Sequence, residues 1–209
     1  MHPMFEKLAE VKLVPVIVIN DVKNAVSLAK ALYDGGLPCA EVTLRTPQAI
    51  DAIRAISEAM PDMLLGAGTV LTPEQVDAAA SAGAKYFVAP GLNPDTVRYC
   101  MGKNLAMLPG VCTPSEVELG LSLGLNVLKF FPAEAAGGIN MLKSLSGPYG
   151  GVKFMPTGGI SPKNLKDYLA IKSVFACGGS WMVKDELIDS GNFAAITELT
   201  REAVDLMLG

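Results

Sequence analysis

The feature that most constrains this chain is an alternation: short apolar runs end in Gly, Pro or Thr, and a longer amphipathic stretch follows each one. A short apolar run bounded by turn residues reads as a buried strand and a 3.6-residue apolar period as a helix, so the repeat is that of parallel βα units. Strands are predicted at 13–19, 39–44, 63–69, 85–89, 105–109, 126–131, 152–157 and 173–177. Helix starts are marked by a capping residue followed by proline at Thr46-Pro47, Thr72-Pro73, Asn93-Pro94, Thr113-Pro114 and Ser161-Pro162. Thr72 with Gln75, and Thr113 with Glu116, fit the capping box. Gly35, Gly83, Gly102 and Gly124 fall where the intervening helices should stop. A chain of 209 residues has room for one domain, and no linker or low-complexity segment divides it. The expected architecture is a single (β/α)8 TIM barrel over residues 1–209 with a short N-terminal helical segment. A doubly wound open sheet is the alternative.

Composition narrows the partners. The net charge is -4 and no block of Lys and Arg occurs, which argues against a nucleic-acid face. The N-terminus carries Glu6 and Glu10 and lacks the layout of a signal peptide, and no apolar run approaches membrane-spanning length. The four cysteines, Cys39, Cys100, Cys112 and Cys177, show no metal-site spacing and are expected to be reduced core residues of a cytoplasmic protein. Charged residues make up only 18%, which suggests surface covered in an oligomer. The sole histidine, His2, lies in a terminus expected to be mobile. Histidine catalysis and a histidine-rich metal site are therefore not expected, an oxygen-only Mg²⁺ site built from carboxylates stays open, and proton transfer falls to carboxylate, lysine or water.

Barrel enzymes place their chemistry where strands end, and unusual residues stand there. In Cys39-Ala40-Glu41-Val42-Thr43-Leu44, alternation sends Ala40, Val42 and Leu44 to one face and Glu41 and Thr43 to the interior. An interior carboxylate is either catalytic or half of a structural ion pair, with Arg45 the nearest candidate partner. In Val127-Leu128-Lys129-Phe130-Phe131-Pro132 an amine sits in an apolar strand. Taking an amine out of water favours its neutral form, which can attack a carbonyl to form a Schiff base. A lysine that snorkels to solvent from the strand end is the alternative, and strand context leaves both open. Two glycine pairs, in Thr157-Gly158-Gly159-Ile160 and Cys177-Gly178-Gly179-Ser180, follow the last strands, where such barrels commonly hold phosphate. One pair alone could be a tight turn, but two after consecutive strands favour an anion site.

Glu41-Val42-Thr43-Leu44-Arg45-Thr46, Gly66-Ala67-Gly68-Thr69-Val70, Lys129-Phe130-Phe131-Pro132-Ala133-Glu134, Pro156-Thr157-Gly158-Gly159-Ile160-Ser161-Pro162 and Gly178-Gly179-Ser180-Trp181 together closely resemble one family. It is the 2-keto-3-deoxy-6-phosphogluconate aldolases, also active as 4-hydroxy-2-oxoglutarate aldolases, and the resemblance runs over about residues 14–204. It implies that Lys129 is the Schiff-base lysine and Glu41 the general acid and base. Arg45 and Thr69 match residues for the keto-acid carboxylate, and Thr157 matches another substrate contact. Gly159, Gly179 and Ser180, with Gly158 beside them, fall where the family holds phosphate, while Pro90 and Phe131 line the pocket. A class I aldolase with no cofactor and no metal is implied, acting on a phosphorylated 2-keto acid, and typically a homotrimer. Two departures blur the substrate preference: Ala136 stands where some relatives carry asparagine, and Val16-Ile17-Val18-Ile19 lacks an arginine that others place there. Two rivals share the late glycines, a sugar-phosphate epimerase, which generally needs metal-binding histidines, and a non-catalytic phosphate-binding barrel.

Overall fold

The computed structural model describes residues 1–208, along which short parallel strands alternate with helices. The strands are β1 (Leu13–Ile17), β2 (Cys39–Thr43), β3 (Leu64–Gly68), β4 (Tyr86–Val88), β5 (Ala106–Leu108), β6 (Gly110–Val111), β7 (Val127–Phe130), β8 (Lys153–Pro156) and β9 (Cys177–Gly179). The helices are α1 (Pro3–Val11), α2 (Ala25–Asp34), α3 (Ala49–Ala59), α4 (Pro73–Ser81), α5 (Pro94–Gly102), α6 (Pro114–Ser122), α7 (Gly138–Ser146), α8 (Leu165–Leu169), α9 (Asp185–Asp189) and α10 (Phe193–Leu208).

Six strands form one parallel sheet in the order β5-β4-β3-β2-β1-β9, and three form a second, β6-β7-β8. This corrects the closed eight-stranded (β/α)8 barrel expected from the sequence. The strand read at 105–109 breaks at Pro109, which has no N–H for a ladder. Its first part, β5, pairs with β4, and its continuation, β6, pairs with β7 in the other sheet. At the opposite edge only the isolated bridges Phe154 to Val174 and Thr157 to Gly178 connect the two sheets. The strand expected at 173–177 joins the ladder only at its last residue, and Gly178 and Gly179 lie within β9, paired with Val14 and Pro15. Strands β1 to β5 stand in sequence order, without the reversal that defines a doubly wound sheet.

The strands are buried on both faces, which explains their nearly continuous apolar runs. One face, with Ala40, Val42, Leu65, Phe87, Leu128 and Phe130, packs on helix residues such as Leu28, Ile53, Val76 and Val117. The other carries Val14, Cys39, Tyr86, Val88, Leu108 and Met155, on which α1 lays Phe5 and Leu8. Each fully buried Leu, Ile or Val contributes about 1.5–3 kcal/mol, so a few of them offset the several kcal/mol that one desolvated ion pair costs. That margin matters for the charged residues below.

Thr72, Asn93 and Thr113 cap α4, α5 and α6, the last with a reciprocal capping box to Glu116. Two expected starts fall elsewhere: α3 begins at Ala49 and α8 at Leu165. Thr46 instead donates its hydroxyl to the Ile19 carbonyl at 2.6 Å. His2, expected in a mobile terminus, caps α1: its Nδ1 accepts the Met4 N–H at 3.1 Å. All four cysteines are free and three are buried; burial pushes the Cys100 thiol up to about 11 and those of Cys39 and Cys177 higher, which makes them poor nucleophiles.

Candidate active site

Glu41 lies in β2 between two residues that face the helices, so the strand's alternation turns it to the opposite face. Lys129, in β7, arrives from the other sheet, and its Nζ stands 3.5 Å from Glu41 Oε1. The side chains are 6% and 1% exposed, lysine and glutamate respectively. Lys129 Nζ also lies 5.0 Å from the centroid of the Phe131 ring, a position for cation–π attraction. Arg45, the partner first considered for Glu41, is exposed and directs its Nε to Thr69 Oγ1 at 3.4 Å.

Neither oxygen of the Glu41 carboxylate has a hydrogen-bond partner in the protein. A buried ion pair kept for stability normally satisfies its remaining lone pairs, because desolvation otherwise outweighs the Coulombic gain. An unpartnered, desolvated carboxylate beside an amine is instead poised to accept from something that enters the site. Thr157 Oγ1 is buried and unpartnered in the same way.

Two glycines on β3 make this arrangement possible. In register, Glu41 opposes Gly66, and Thr43 opposes Gly68. A Cβ at Gly68 would lie 2.3 Å from Glu41 Oε1, and one at Gly66 would lie 2.2 Å from the ring of Tyr86. The missing side chains therefore leave room for a carboxylate and an aromatic ring. Tyr86 donates to the Ala40 carbonyl at 2.9 Å, and burial pushes its phenol far up, so it stays a neutral donor. Directly after β3, Thr69 adopts φ 57°, a left-handed conformation that costs a β-branched residue about 1–3 kcal/mol. Such strain, where the hydroxyl meets Arg45, marks a position held for a purpose.

Beside the pair, at the ends of β1, β8 and β9, lies a cavity of about 310 Å³ lined by residues that include Phe131, Thr157, Gly158, Gly159, Gly179 and Ser180. Arg45 reaches it from the end of β2, and Val16, which opposes Glu41 in register, forms part of its wall. The N–H groups of Gly158, Gly159, Ile160 and Ser180 make no hydrogen bond among the described residues. Four free amides around one concavity can bind an oxyanion. Pro90 is not brought to this cavity; it lines a neighbouring one with Leu71, Ala89 and Gly91. Thr69 joins the site only through Arg45.

A family model for the KDPG and KHG aldolases matches residues 4–199. The chain belongs to this family. It is 48% identical over 204 residues to the 2-dehydro-3-deoxy-phosphogluconate aldolase of Haemophilus influenzae, covering 98% of this chain and 96% of that one. It is equally 48% identical over 192 residues to the KHG/KDPG aldolase of Escherichia coli, covering 92% and 90%. Among solved structures, the KDPG aldolase of Legionella pneumophila, with pyruvate captured as a covalent carbinolamine, superposes with a TM-score of 0.92 at 44% identity, covering 95% of this chain and 97% of that one. The aldolase of Zymomonas mobilis with 3-phosphoglycerate gives 0.91 at 42% identity, covering 97% and 96%.

The structure brings together Lys129 and Glu41, the two residues the sequence singled out, and surrounds them with others that it did not. Gly68 stands inside the Gly66-Ala67-Gly68-Thr69-Val70 motif, and a glycine within a strand is itself a signal of close approach. Val16, Val18 and Ile160, which the sequence offered only as members of longer segments, line the cavity, as do Val183 and Asp185, for which the sequence carried no signal. Arg45 is the only cationic side chain among the lining residues and Asp185 the only carboxylate.

Proposed function

We propose that this chain cleaves 2-dehydro-3-deoxy-6-phosphogluconate to pyruvate and glyceraldehyde 3-phosphate through a Schiff base on Lys129, and cleaves 4-hydroxy-2-oxoglutarate by the same steps. The observation that carries this is the buried Lys129–Glu41 pair, whose carboxylate has no hydrogen bond of its own. The Lys129 amine adds to the C2 ketone, and loss of water leaves a protonated imine, the electron sink. Glu41 takes the C4 hydroxyl proton, through water, as the C3–C4 bond breaks; the aldehyde leaves and the electron pair is held as the enamine of pyruvate. Protonation at C3 and hydrolysis free pyruvate and the amine. Arg45 suits the keto-acid carboxylate, since its planar fork can bind two oxygens, and Thr69 is positioned beside it. Thr157, with its unpartnered hydroxyl, and the ring of Phe131 contact the substrate between the carboxylate and phosphate ends.

Incubation with the phosphorylated aldol should release pyruvate, read through lactate dehydrogenase as oxidation of NADH; no release would refute the proposal. Among the described residues no group of three or more His, Cys, Asp or Glu side chains could hold a metal. Prolonged treatment with a chelator should therefore leave activity intact, and a loss restored by divalent metal would point to metal-assisted enolisation instead.

The free amides of Gly158, Gly159 and Ser180 support a phosphate subsite, with Gly179 making space. A Cβ at Gly179 would lie 2.2 Å from the Trp181 ring. Ser180→Ala, which keeps the amide and removes the hydroxyl beside it, should lower kcat/KM for the phosphorylated substrate by about tenfold, the scale of one hydrogen bond to a charged group. The loss on 4-hydroxy-2-oxoglutarate should be much smaller, and equal losses would show that these glycines only shape the cavity. A cytoplasmic homotrimer is the assembly in keeping with the low charged fraction and with the exposed Leu71, Met101, Leu119 and Leu121. No described helix is long and apolar enough to cross a membrane.

A further inference from the structure

The turn that carries Gly158 and Gly159 is held from behind by residues that the reaction does not use. Both glycines are left-handed, with φ of 99° and 80°. The Glu134 N–H donates to the Gly158 carbonyl at 3.1 Å, and Asn164 Nδ2 donates to that of Gly159 at 3.1 Å. With its carbonyls drawn off in this way, the turn leaves its amides free on the cavity side. The Glu134 side chain lies against the turn, since a Cβ on Gly159 would stand 2.6 Å from Glu134 Cγ. Glu134 itself does not line the cavity. Its Oε1 accepts a hydrogen bond from the hydroxyl of Tyr168, a fully buried residue of α8. Burial pushes this phenol up, and it remains a protonated donor.

A carboxylate beside an anion subsite is a liability, because like charges a few ångströms apart repel and the repulsion grows as water is excluded. A side chain that leans on the turn also sets where the turn's amides point. We propose that Tyr168 is a positioning residue of the phosphate subsite: its hydroxyl pins the Glu134 side chain behind Gly159, which fixes the glycine turn and keeps the carboxylate off the bound phosphate. This rests on the reading of the cavity as a phosphate site. Tyr168 then acts on the tail of the substrate and not on the reacting carbons.

The test compares kcat/KM for the phosphorylated aldol with kcat/KM for 4-hydroxy-2-oxoglutarate on the same preparation, so that any loss of folded protein cancels from the ratio. Tyr168→Phe, which keeps the buried ring, should lower the ratio about fivefold, the scale of one hydrogen bond, and should do so through KM for the phosphorylated substrate with kcat preserved. Glu134→Ala should lower the ratio likewise. Glu134→Gln, which keeps an acceptor for the tyrosine and removes the charge, should hold or raise it. An unchanged ratio in Tyr168→Phe, or a fall in Glu134→Gln as large as in Glu134→Ala, would overturn the proposal. Ser180→Ala separates this from the reading beneath it. If Ser180→Ala, or Gly159→Ala, which displaces the amides of the turn, lowers the ratio and Tyr168→Phe does not, the phosphate site stands and only the positioning role fails; if none of the three does, the phosphate site itself is refuted.

Discussion

Treatment with pyruvate and borohydride is expected to leave one stable adduct, on Lys129, and Lys129→Ala is expected to form none and to turn over at least about 10⁴-fold more slowly, the scale on which a catalytic nucleophile is lost. The size of the effect follows from the chemistry. Without the imine there is no electron sink for the C3–C4 bond, and among the described residues no second amine stands at the Glu41 carboxylate. Peptide mass analysis checks the position, and an adduct on any other residue would sink the assignment. Removing the amine also leaves Glu41 buried without its partner, which costs about 3–5 kcal/mol unless the carboxyl takes up a proton. Far-ultraviolet circular dichroism should therefore accompany the rate. Trapping on the unmutated chain tests the assignment even if the variant fails to fold.

Glu41→Gln is expected to separate imine formation from turnover. The amide is nearly isosteric, so it fits the space left by Gly68, where a single added Cβ would stand 2.3 Å from the carboxylate. Lys129 keeps its amine, and pyruvate with borohydride should still mark it. Cleavage should fall by about 10²–10⁴-fold, the usual range for a positioned acid or base, because the amide cannot take the C4 hydroxyl proton. Full turnover in Glu41→Gln would make the glutamate structural. That outcome has a physical alternative behind it, since a buried carboxylate near a lysine can be half of an ion pair kept only by packing. Its two unpartnered oxygens argue against that role here.

Much of the site was legible because strand alternation is a strong local rule. Ala40 and Val42 had to face the helices, so Glu41 had to face away from them. Lys129 stood out because a lysine in an apolar strand is costly to bury without a purpose. Helix caps at Thr72, Asn93 and Thr113 were readable for the same kind of reason, since the capping bonds span only two or three residues. Thr46-Pro47 and Ser161-Pro162 carried an identical signal and failed. At Thr46 a tertiary partner won, the Ile19 carbonyl that takes its hydroxyl, whereas Ser161 still accepts the Lys163 N–H but opens on a turn that becomes α-helix only at Leu165.

By itself the sequence determined that this protein is built of parallel βα units, that Glu41 faces the interior and Lys129 stands in an apolar strand, and, through its motifs, which aldolases it resembles. These are local or pattern properties, set by side-chain period and by residue type. How the sheet ends was not among them. That the fifth strand splits at Pro109 between two sheets, and that β9 starts at Cys177 and takes Gly178 and Gly179 into its ladder, depends on which backbone groups find partners across the fold. So does the 3.5 Å approach of Lys129 to Glu41, whose strands are 88 positions apart in the chain and belong to different sheets. Only the tertiary structure could decide that Arg45 turns to Thr69 and leaves Glu41 to the lysine, because that choice rests on distances and desolvation that no spacing along the chain encodes.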